Sequence, residues 1–281
     1  MPFTISHAAA VLPFVRRDGS GRGRLVPSLL VAGSFAPDLT YFAASAVPGA
    51  MEFGAFTHSF TGVFTVDAVF AAGLLALWRL VREPLLALLP GGVRARVWTV
   101  VRGRPVRARG WWLWWYVSAV TGSLTHVVWD AFTHPDRWGT RLLPVLGETV
   151  AGSPVYWYVQ YGSSALALVV IAVFLWGAVR GATPSDGLPA PHARQRWLAL
   201  VVIGGCACGC GAARVVRWLS YVEEQGLAWK PWEIVPTVCF GAGAGLVIGL
   251  VLYALLLRVR TRPAVPERPE RPAEPSRPTA R

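Results

Sequence analysis

Histidine and aspartate residues in one part of the chain are spaced as metal ligands on a helix would be. His126, Asp130 and His134 follow one another at intervals of four residues. In a helix, His126 and Asp130 share one face, one turn apart, and can bind a single cation. Pro135 biases His134 away from helical geometry, although His134 could still fold back as a ligand. Imidazoles combined with carboxylates favour zinc, manganese or iron over calcium, and we expect zinc or manganese.

Further ionisable side chains lie in or beside apolar stretches, where they are costly. Asp38 lies in the middle of one stretch, His58 precedes another, and His7 lies in a short apolar segment near the N-terminus. Insertion scales place aspartate at the centre of a span at roughly +2.5 to +3.5 kcal/mol, so such residues need a reason. Each of them alone is more often an interfacial hydrogen-bonding group. Together with the spaced set they favour one shared, metal-binding site; Asp67 is a weaker candidate.

The elements that must position these residues are apolar runs long enough to cross a bilayer. The 281-residue chain is 54% hydrophobic and only 15% charged, with a mean hydropathy of +0.45. A bilayer core about 30 Å thick needs roughly 20 apolar residues in a helix. The candidate runs are 25–47 (interrupted at Pro37 and Asp38), 61–81, 111–132, 158–179, 197–213 and 234–257. We predict an all-α transmembrane helix bundle of about six spans, with a short embedded segment at its N-terminus.

Arginines indicate how the spans are oriented. The connections 16–24, 79–109 and 180–196 and the tail after Leu257 are basic, whereas 48–60, 133–157 and 214–233 are not. By the positive-inside rule, the basic stretches lie in the cytoplasm of a bacterial inner membrane. This orientation places His58, Asp130 and His134 near the outer face. The net charge of +12 therefore reports topology, and nucleic acid is not an expected partner.

The chain divides into a membrane domain and a tail. Residues 1–260 form the helical membrane domain, and its motif-bearing part is 1–180. Residues 261–281 are rich in proline, arginine and glutamate, so we predict a disordered cytoplasmic tail. Membrane lipids are the expected partners of such a chain.

Small polar side chains cluster at the outer start of the run 158–179. Gln160, Tyr161 and Ser163 offer an amide and hydroxyls there. These groups could orient a substrate headgroup or hydrogen-bond to metal ligands. Close helix packing in lipid is an equally good explanation for small polar residues at this position.

Several motifs occur in a characteristic order along the chain. They are Met1-Pro-Phe-Thr-Ile-Ser-His7-Ala-Ala-Ala-Val-Leu-Pro13, Gly33-Ser-Phe-Ala-Pro-Asp38, Thr57-His58-Ser59, Thr125-His126-Val-Val-Trp-Asp130-Ala-Phe-Thr-His134 and Gln160-Tyr-Gly-Ser-Ser164. Together they resemble the bacterial membrane proteins grouped as domain of unknown function 4184, over roughly residues 1–180. The pattern is also similar to that of membrane-bound metal-dependent hydrolases of bacterial inner membranes. This similarity implies that His7, Asp38, His58, His126 and Asp130 are ligands, with His134 next in line.

These features predict a metal-dependent hydrolase that acts at the outer face on a lipid or lipid-linked ester or phosphoester. The metal would lower the pKa of a water molecule and polarise the ester oxygen. Asp38 or Asp130, if not used as a ligand, would act as the general base. The alternatives are an ion-coupled transporter, in which the same groups bind a cation or relay protons, and a non-catalytic membrane scaffold.

Overall fold

A computed structural model describes residues 3–102, 110–185, 188, 190–229 and 231–260. The predicted tail, 261–281, and Arg104, Arg107 and Arg109 of the second basic stretch lie outside the described residues. The helices are α1 (Ala8–Val11), α2 (Pro27–Phe35), α3 (Leu39–Ala43), α4 (Gly54–Thr57), α5 (Phe60–Phe64), α6 (Val66–Ala87), α7 (Gly91–Val101), α8 (Trp111–Thr133), α9 (Trp138–Leu142), α10 (Val155–Gly181), α11 (Ala193–Glu224) and α12 (Ile234–Arg260).

Short elements connect these helices. Single 3-10 turns span Thr4–His7, Leu12–Phe14, Ala36–Asp38, Pro144–Gly147 and Pro231–Glu233. Two-residue strands, β1 (Thr149–Val150) and β2 (Ser153–Pro154), form an antiparallel hairpin just before α10. The prediction of an all-α chain is confirmed, because the rest of the regular structure in the described residues is helical.

Helix α2 packs against both α8 and α6. Its contact with α8 is unusually close because each of the two helices has a glycine at the contact, Gly33 in α2 and Gly122 in α8. A Cβ atom added to Gly33 would lie 2.2 Å from the carbonyl oxygen of Ala119, and one added to Gly122 would lie 2.2 Å from that of Leu30. Ser123 also donates a hydrogen bond of 3.0 Å to the carbonyl of Gly33. Backbones at this distance fix α2 against α8 and leave little freedom to slide.

The apolar run 25–47 does not form a continuous helix. Pro37 has no N–H to donate and disfavours helical geometry in the residue before it, so α2 ends at Phe35 and the chain turns through Ala36–Asp38 before α3 begins. The run 61–81 is also interrupted, because Thr65 leaves helical geometry between α5 and α6. The first break places Asp38, which is wholly buried, in the turn between α2 and α3 rather than within one helix.

The basic connections meet at one end of the molecule, called here the basic end. A Cβ atom added to Gly19 would clash with the backbone of α7. Arg96 of α7 donates a hydrogen bond of 2.9 Å to the carbonyl of Ala182, at the end of α10. Arg258 of α12 donates one of 3.3 Å to the carbonyl of Leu80 in α6. Residues from all the basic stretches of the sequence are therefore neighbours.

The far end of α11 contacts the opposite end of the bundle. Arg214 lies about 30 Å along α11 from its first residue. Its guanidinium donates hydrogen bonds of 2.7 Å to the carbonyl of Tyr41 and to the hydroxyl of Ser45. Arg217 donates to the carbonyl of Ser45 at 2.6 Å. The chain that follows Asp38 is thereby attached to the α11–α12 pair.

Within the described part of the chain, three helices are long and apolar enough to cross a membrane: α10, α11 and α12 up to Arg258. Apolar side chains such as Leu166, Val173 and Leu200 stand exposed on α10 and α11, as expected of surfaces that face lipid. Helix α6 carries Arg79, Arg82 and Glu83, and α2 is short, so neither is by itself an uninterrupted apolar span. The prediction of six spans stays a prediction.

Candidate metal centre

Four buried side chains from separate parts of the chain meet between α2, α5 and α8. They are Asp38, His58, His126 and Asp130, and one nitrogen or oxygen atom from each lies within 4.8 Å of the others. Asp38 comes from the turn Ala36–Asp38, His58 from the junction of α4 and α5, and the other two from one face of α8. We call this group the Asp/His cluster. Its donor atoms could hold a metal ion.

Nitrogen and oxygen atoms alternate around the cluster at nearly equal separations. Nε2 of His58 lies 3.5 Å from Oδ1 of Asp38 and 3.4 Å from Oδ2 of Asp130. Nε2 of His126 lies 3.5 Å from each of the same two oxygens. A hydrogen bond from nitrogen would be about 2.9 Å long. Two ligands of one tetrahedral ion, with bonds of about 2.1 Å, lie about 3.4 Å apart, so these separations fit ligands of a common ion.

Backbone carbonyls orient both imidazole rings. Nδ1 of His126 lies 2.7 Å from the carbonyl oxygen of Ser34, and Nδ1 of His58 lies 2.8 Å from that of Gly54. A carbonyl can only accept, so each Nδ1 carries the proton and donates it. Each Nε2 then directs a lone pair toward the carboxylates unless the ring is charged. This is the arrangement in which histidines bind metal ions in proteins.

The Asp38 carboxylate is fixed by one oxygen and open at the other. The Thr4 hydroxyl donates to Oδ2 of Asp38, which leaves Oδ1 toward the imidazoles. Oδ1 of Asp38, Oδ1 of Asp130 and Nε2 of His126 are buried and have no hydrogen-bond partner among the described residues. Buried polar atoms nearly always have a partner, and a bound cation could supply one for Oδ1 of Asp38 and Nε2 of His126.

The carboxylates attract positive charge to the cluster. Burial alone would lower the pKa of His58, but its interaction with the Asp130 and Asp38 carboxylates outweighs burial and raises this pKa above its ordinary value. A charged imidazole or a bound metal ion can supply the positive charge that these carboxylates require.

His7 lies beside the Asp/His cluster. Its ring stacks on that of His126, with centroids 3.6 Å apart, and its Nε2 lies 3.4 Å from Oδ1 of Asp130. Oδ2, the other oxygen of the Asp130 carboxylate, is the one that lies near His58. Both nitrogens of His7 are buried without a partner among the described residues. The predicted ligand His7 therefore contacts the opposite side of the Asp130 carboxylate.

His134 is held at the rim of the cluster. Its Nδ1 lies 3.7 Å from Oδ2 of Asp130, whereas its Nε2 lies 3.0 Å from the side-chain nitrogen of Gln160. Burial lowers the pKa of His134 to about 4, so the ring is neutral near pH 7. With one nitrogen engaged by Gln160, His134 is positioned to support Asp130 rather than to complete the cluster.

The predicted substrate-binding residues of α10 lie around this rim. Gln160 reaches His134, as described above. Ser163 accepts a hydrogen bond of 3.1 Å from the indole of Trp129. Tyr161 packs edge-on against Phe3, with ring centroids 5.7 Å apart. These residues connect α10 to α8 and to the N-terminal segment, and a role in substrate binding stays a prediction.

Some residues near the cluster carry no distinctive sequence signal. Thr4 binds Asp38, and the Thr57 hydroxyl donates a 2.7 Å hydrogen bond to the carbonyl of Pro37, which joins the His58 turn to the Asp38 turn. Threonine is common in apolar helices, so its type alone could not have identified either residue.

Asp67, the weaker candidate, is buried at the start of α6 outside the cluster, and both of its oxygens lack a partner among the described residues.

Comparison with known proteins assigns the chain to a family. No curated protein and no solved structure matches this sequence. A family model described as a domain of unknown function (DUF4184) matches residues 1–255, which include the whole Asp/His cluster and extend beyond the motif-bearing part to α12. The chain therefore belongs to the family of the domain of unknown function DUF4184.

Proposed function

We propose that this protein is a metal-dependent hydrolase of the bacterial inner membrane that acts on a lipid or lipid-linked ester or phosphoester at the outer face. The observation that carries the proposal is the Asp/His cluster, in which buried nitrogen and oxygen atoms lie 3.4–3.5 Å apart, as ligands of one ion do and farther than in an ordinary hydrogen bond. The motif pattern, which is similar to that of membrane-bound metal-dependent hydrolases, supports the same reaction class. Zinc or manganese suits the donor set.

The two carboxylates have different surroundings, and this supports different roles. Asp38 has one oxygen in the cluster and the other bound by Thr4, so it serves as a fixed ligand. Asp130 has one oxygen in the cluster, and its second oxygen faces His7 without a hydrogen bond. That oxygen can accept a proton from water and pass it on, as a general base does. A bound divalent cation would supply Lewis acidity and lower the pKa of water.

We also propose that six spans cross the membrane with the basic end in the cytoplasm and the C-terminal tail on that side. The meeting of the basic stretches at one end supports this orientation, because the positive-inside rule requires such loops to share a side. Helix α8 then runs outward from its tryptophan-rich start, and Asp130 lies near the outer face. A site there would be accessible to lipid headgroups of the outer leaflet.

Metal analysis of the purified full-length protein tests the proposed metal centre. We expect about one zinc or manganese ion per chain in the wild type and loss of that ion in His126→Ala and Asp130→Ala, because each removes a ligand. His192→Asn is the matched control: His192 lies at the start of α11, where asparagine can replace it as the helix cap. Wild-type protein without stoichiometric metal would refute the proposal.

A second candidate function, an ion-coupled carrier, is favoured by Asp67. Its carboxylate is wholly buried and has no hydrogen-bond partner among the described residues, as expected of a group that binds and releases a cation or proton. Proteoliposomes separate the two functions. Metal-dependent uptake of a solute without product formation would favour the carrier, whereas metal-dependent release of product from lipid would favour the hydrolase.

Removal of the Thr4 hydroxyl is expected to weaken metal binding. In Thr4→Val the buried Oδ2 of Asp38 loses its donor, and affinity should fall by about tenfold or more, as for other residues that orient metal ligands. Thr4→Ser should keep most of the affinity. Thr40→Val is the control, because the Thr40 hydroxyl is buried near Asp38 but has no partner among the described residues. Competition with a fluorescent chelator measures all of these affinities; equal values for Thr4→Val and Thr40→Val would contradict the assigned role.

A further inference from the structure

An arginine follows the rim histidine of the Asp/His cluster closely along the chain. Arg137 follows His134 by three residues and is the capping residue of α9. The chain reaches it through Asp136, whose positive φ of 58° turns the backbone sharply after α8. The side chain is half-buried, and no carboxylate among the described residues lies within ion-pair distance of it. A half-buried guanidinium with no carboxylate partner among the described residues is available to bind an anion.

Tyr41 connects this arginine to the cluster. Its ring centroid lies 5.6 Å from that of His58. The ring also covers Gly54, since a Cβ atom added to Gly54 would lie 2.8–2.9 Å from the phenol carbons and hydroxyl. The Arg137 guanidinium lies within interaction range of the Tyr41 hydroxyl, and so do the carboxylates of Asp38 and Asp130. The guanidinium, the phenol and the cluster are therefore contiguous.

We propose that Arg137 and Tyr41 bind the anionic oxygens of a phosphoester whose phosphorus lies beside the Asp/His cluster. This inference rests on the proposed hydrolase and narrows its substrate from esters in general to phosphoesters. A phosphoryl group has at least two non-bridging oxygens, so one can face the metal while another accepts hydrogen bonds from the guanidinium. A neutral carboxylic ester has a single carbonyl oxygen, which the metal would occupy, and Arg137 would stay without an anion.

Charge balance favours the same substrate class. Two cluster carboxylates and one divalent cation sum to zero, so the Arg137 guanidinium leaves the site with one positive charge. A phosphodiester or a singly ionised phosphomonoester neutralises this charge. A cationic substrate would be repelled by it. The net positive charge of the site therefore attracts anionic substrates from a distance, before they contact the protein.

Binding of inorganic phosphate to the manganese-loaded, full-length protein tests the inference. Broadening of the phosphorus NMR signal by the bound ion reports phosphate close to the metal. Arg137→Gln should weaken phosphate binding by about tenfold to a hundredfold, the usual effect of losing a hydrogen bond from a charged group. Arg137→Lys should retain part of the affinity, because it keeps the charge but not the planar fork, and Tyr41→Phe should weaken binding less than Arg137→Gln.

The control for charge alone is Arg141→Gln. Arg141 is exposed on α9 and its guanidinium donates to the carbonyl of Asp136, so phosphate affinity should stay as in the wild type. Metal content is measured on each sample, which separates this inference from the proposed function. A metal-loaded Arg137→Gln that binds phosphate as tightly as the wild type, or a metal-loaded wild type that binds none, overturns the inference. A wild type without metal refutes the hydrolase instead.

Two competitors distinguish the sources of the phosphoryl group. Phosphatidic acid in detergent micelles presents it on a lipid, and glycerol phosphate presents it in solution. Displacement of phosphate by both supports a phosphoester site, and displacement at lower concentration by the lipid assigns that site to a membrane substrate. If neither competitor displaces phosphate from the wild type, the assignment of Arg137 and Tyr41 is wrong.

Discussion

Gly122→Val is expected to destabilise the protein strongly and to abolish the metal centre at the same time. The Cβ atom of a valine at this position would lie 2.2 Å from the carbonyl oxygen of Leu30 and 2.8 Å from the amide nitrogen of Ser34. Both are backbone atoms, so no side chain can move aside and α2 must shift away from α8. Overpacking of this kind costs about 1–3 kcal/mol or more.

The same shift would separate the ligands. The carbonyl of Ser34 orients His126, and Asp38 follows α2 directly, so moving α2 changes the position of both relative to Asp130. Thermal unfolding in detergent and metal content measure the two effects. Gly73→Val is the control, because the space around Gly73 in α6 is open. Gly122→Val with wild-type stability and metal content would show that the close helix contact is unimportant.

Removing the metal with a chelator is expected to lower the unfolding temperature of the wild type by about 10 °C. A ligand present at a thousand times its dissociation constant stabilises the folded state by about 4 kcal/mol, and this contribution is lost when the ion is removed. The carboxylates of Asp38 and Asp130 are then left buried, close together and short of positive charge, which adds to the loss.

The double variant Asp38→Asn and Asp130→Asn provides the matched comparison. Its amides are neutral and nearly the same size as the carboxylates. It should bind no metal, respond to neither chelator nor added zinc, and unfold at a higher temperature than the metal-free wild type. Differential scanning fluorimetry in the same detergent measures each state. An unfolding temperature of the wild type that does not change with chelator would contradict a bound structural or catalytic ion.

The spacing of residues in the sequence was enough to predict the part of the site that lies on one helix. His126 and Asp130 are one turn apart in any helix, so the sequence alone predicts that they share a face. Their approach to His58 and Asp38 depends on how closely α2 packs on α8, and that distance is set by glycine contacts that no local periodicity encodes. The break at Pro37 could be predicted, since proline ends helices, but the position of Asp38 against α8 could not.

Other parts of the site needed the structure because their residue types are uninformative. Arg137 lies in an ordinary polar connection, and the role that we propose for it depends on a backbone turn at Asp136 that no sequence pattern predicts. His134 follows the spacing of a ligand, yet Gln160, from a distant helix, engages one of its nitrogens. The membrane-spanning helices could be identified only in part. Length and hydropathy identify α10, α11 and α12, whereas tryptophans in α8 and charged residues in α6 lower the hydropathy of those two helices.

The attachment of the α11–α12 pair has a consequence for biosynthesis. The cluster residues, the rim histidine and Arg137 all precede residue 140, and α11 contacts this part of the bundle through the carbonyls and hydroxyl of residues 41–45. During translation, the residues of the Asp/His cluster are therefore all synthesised before the last two helices. We expect α11 and α12, which are made last, to pack against a cluster that has already assembled.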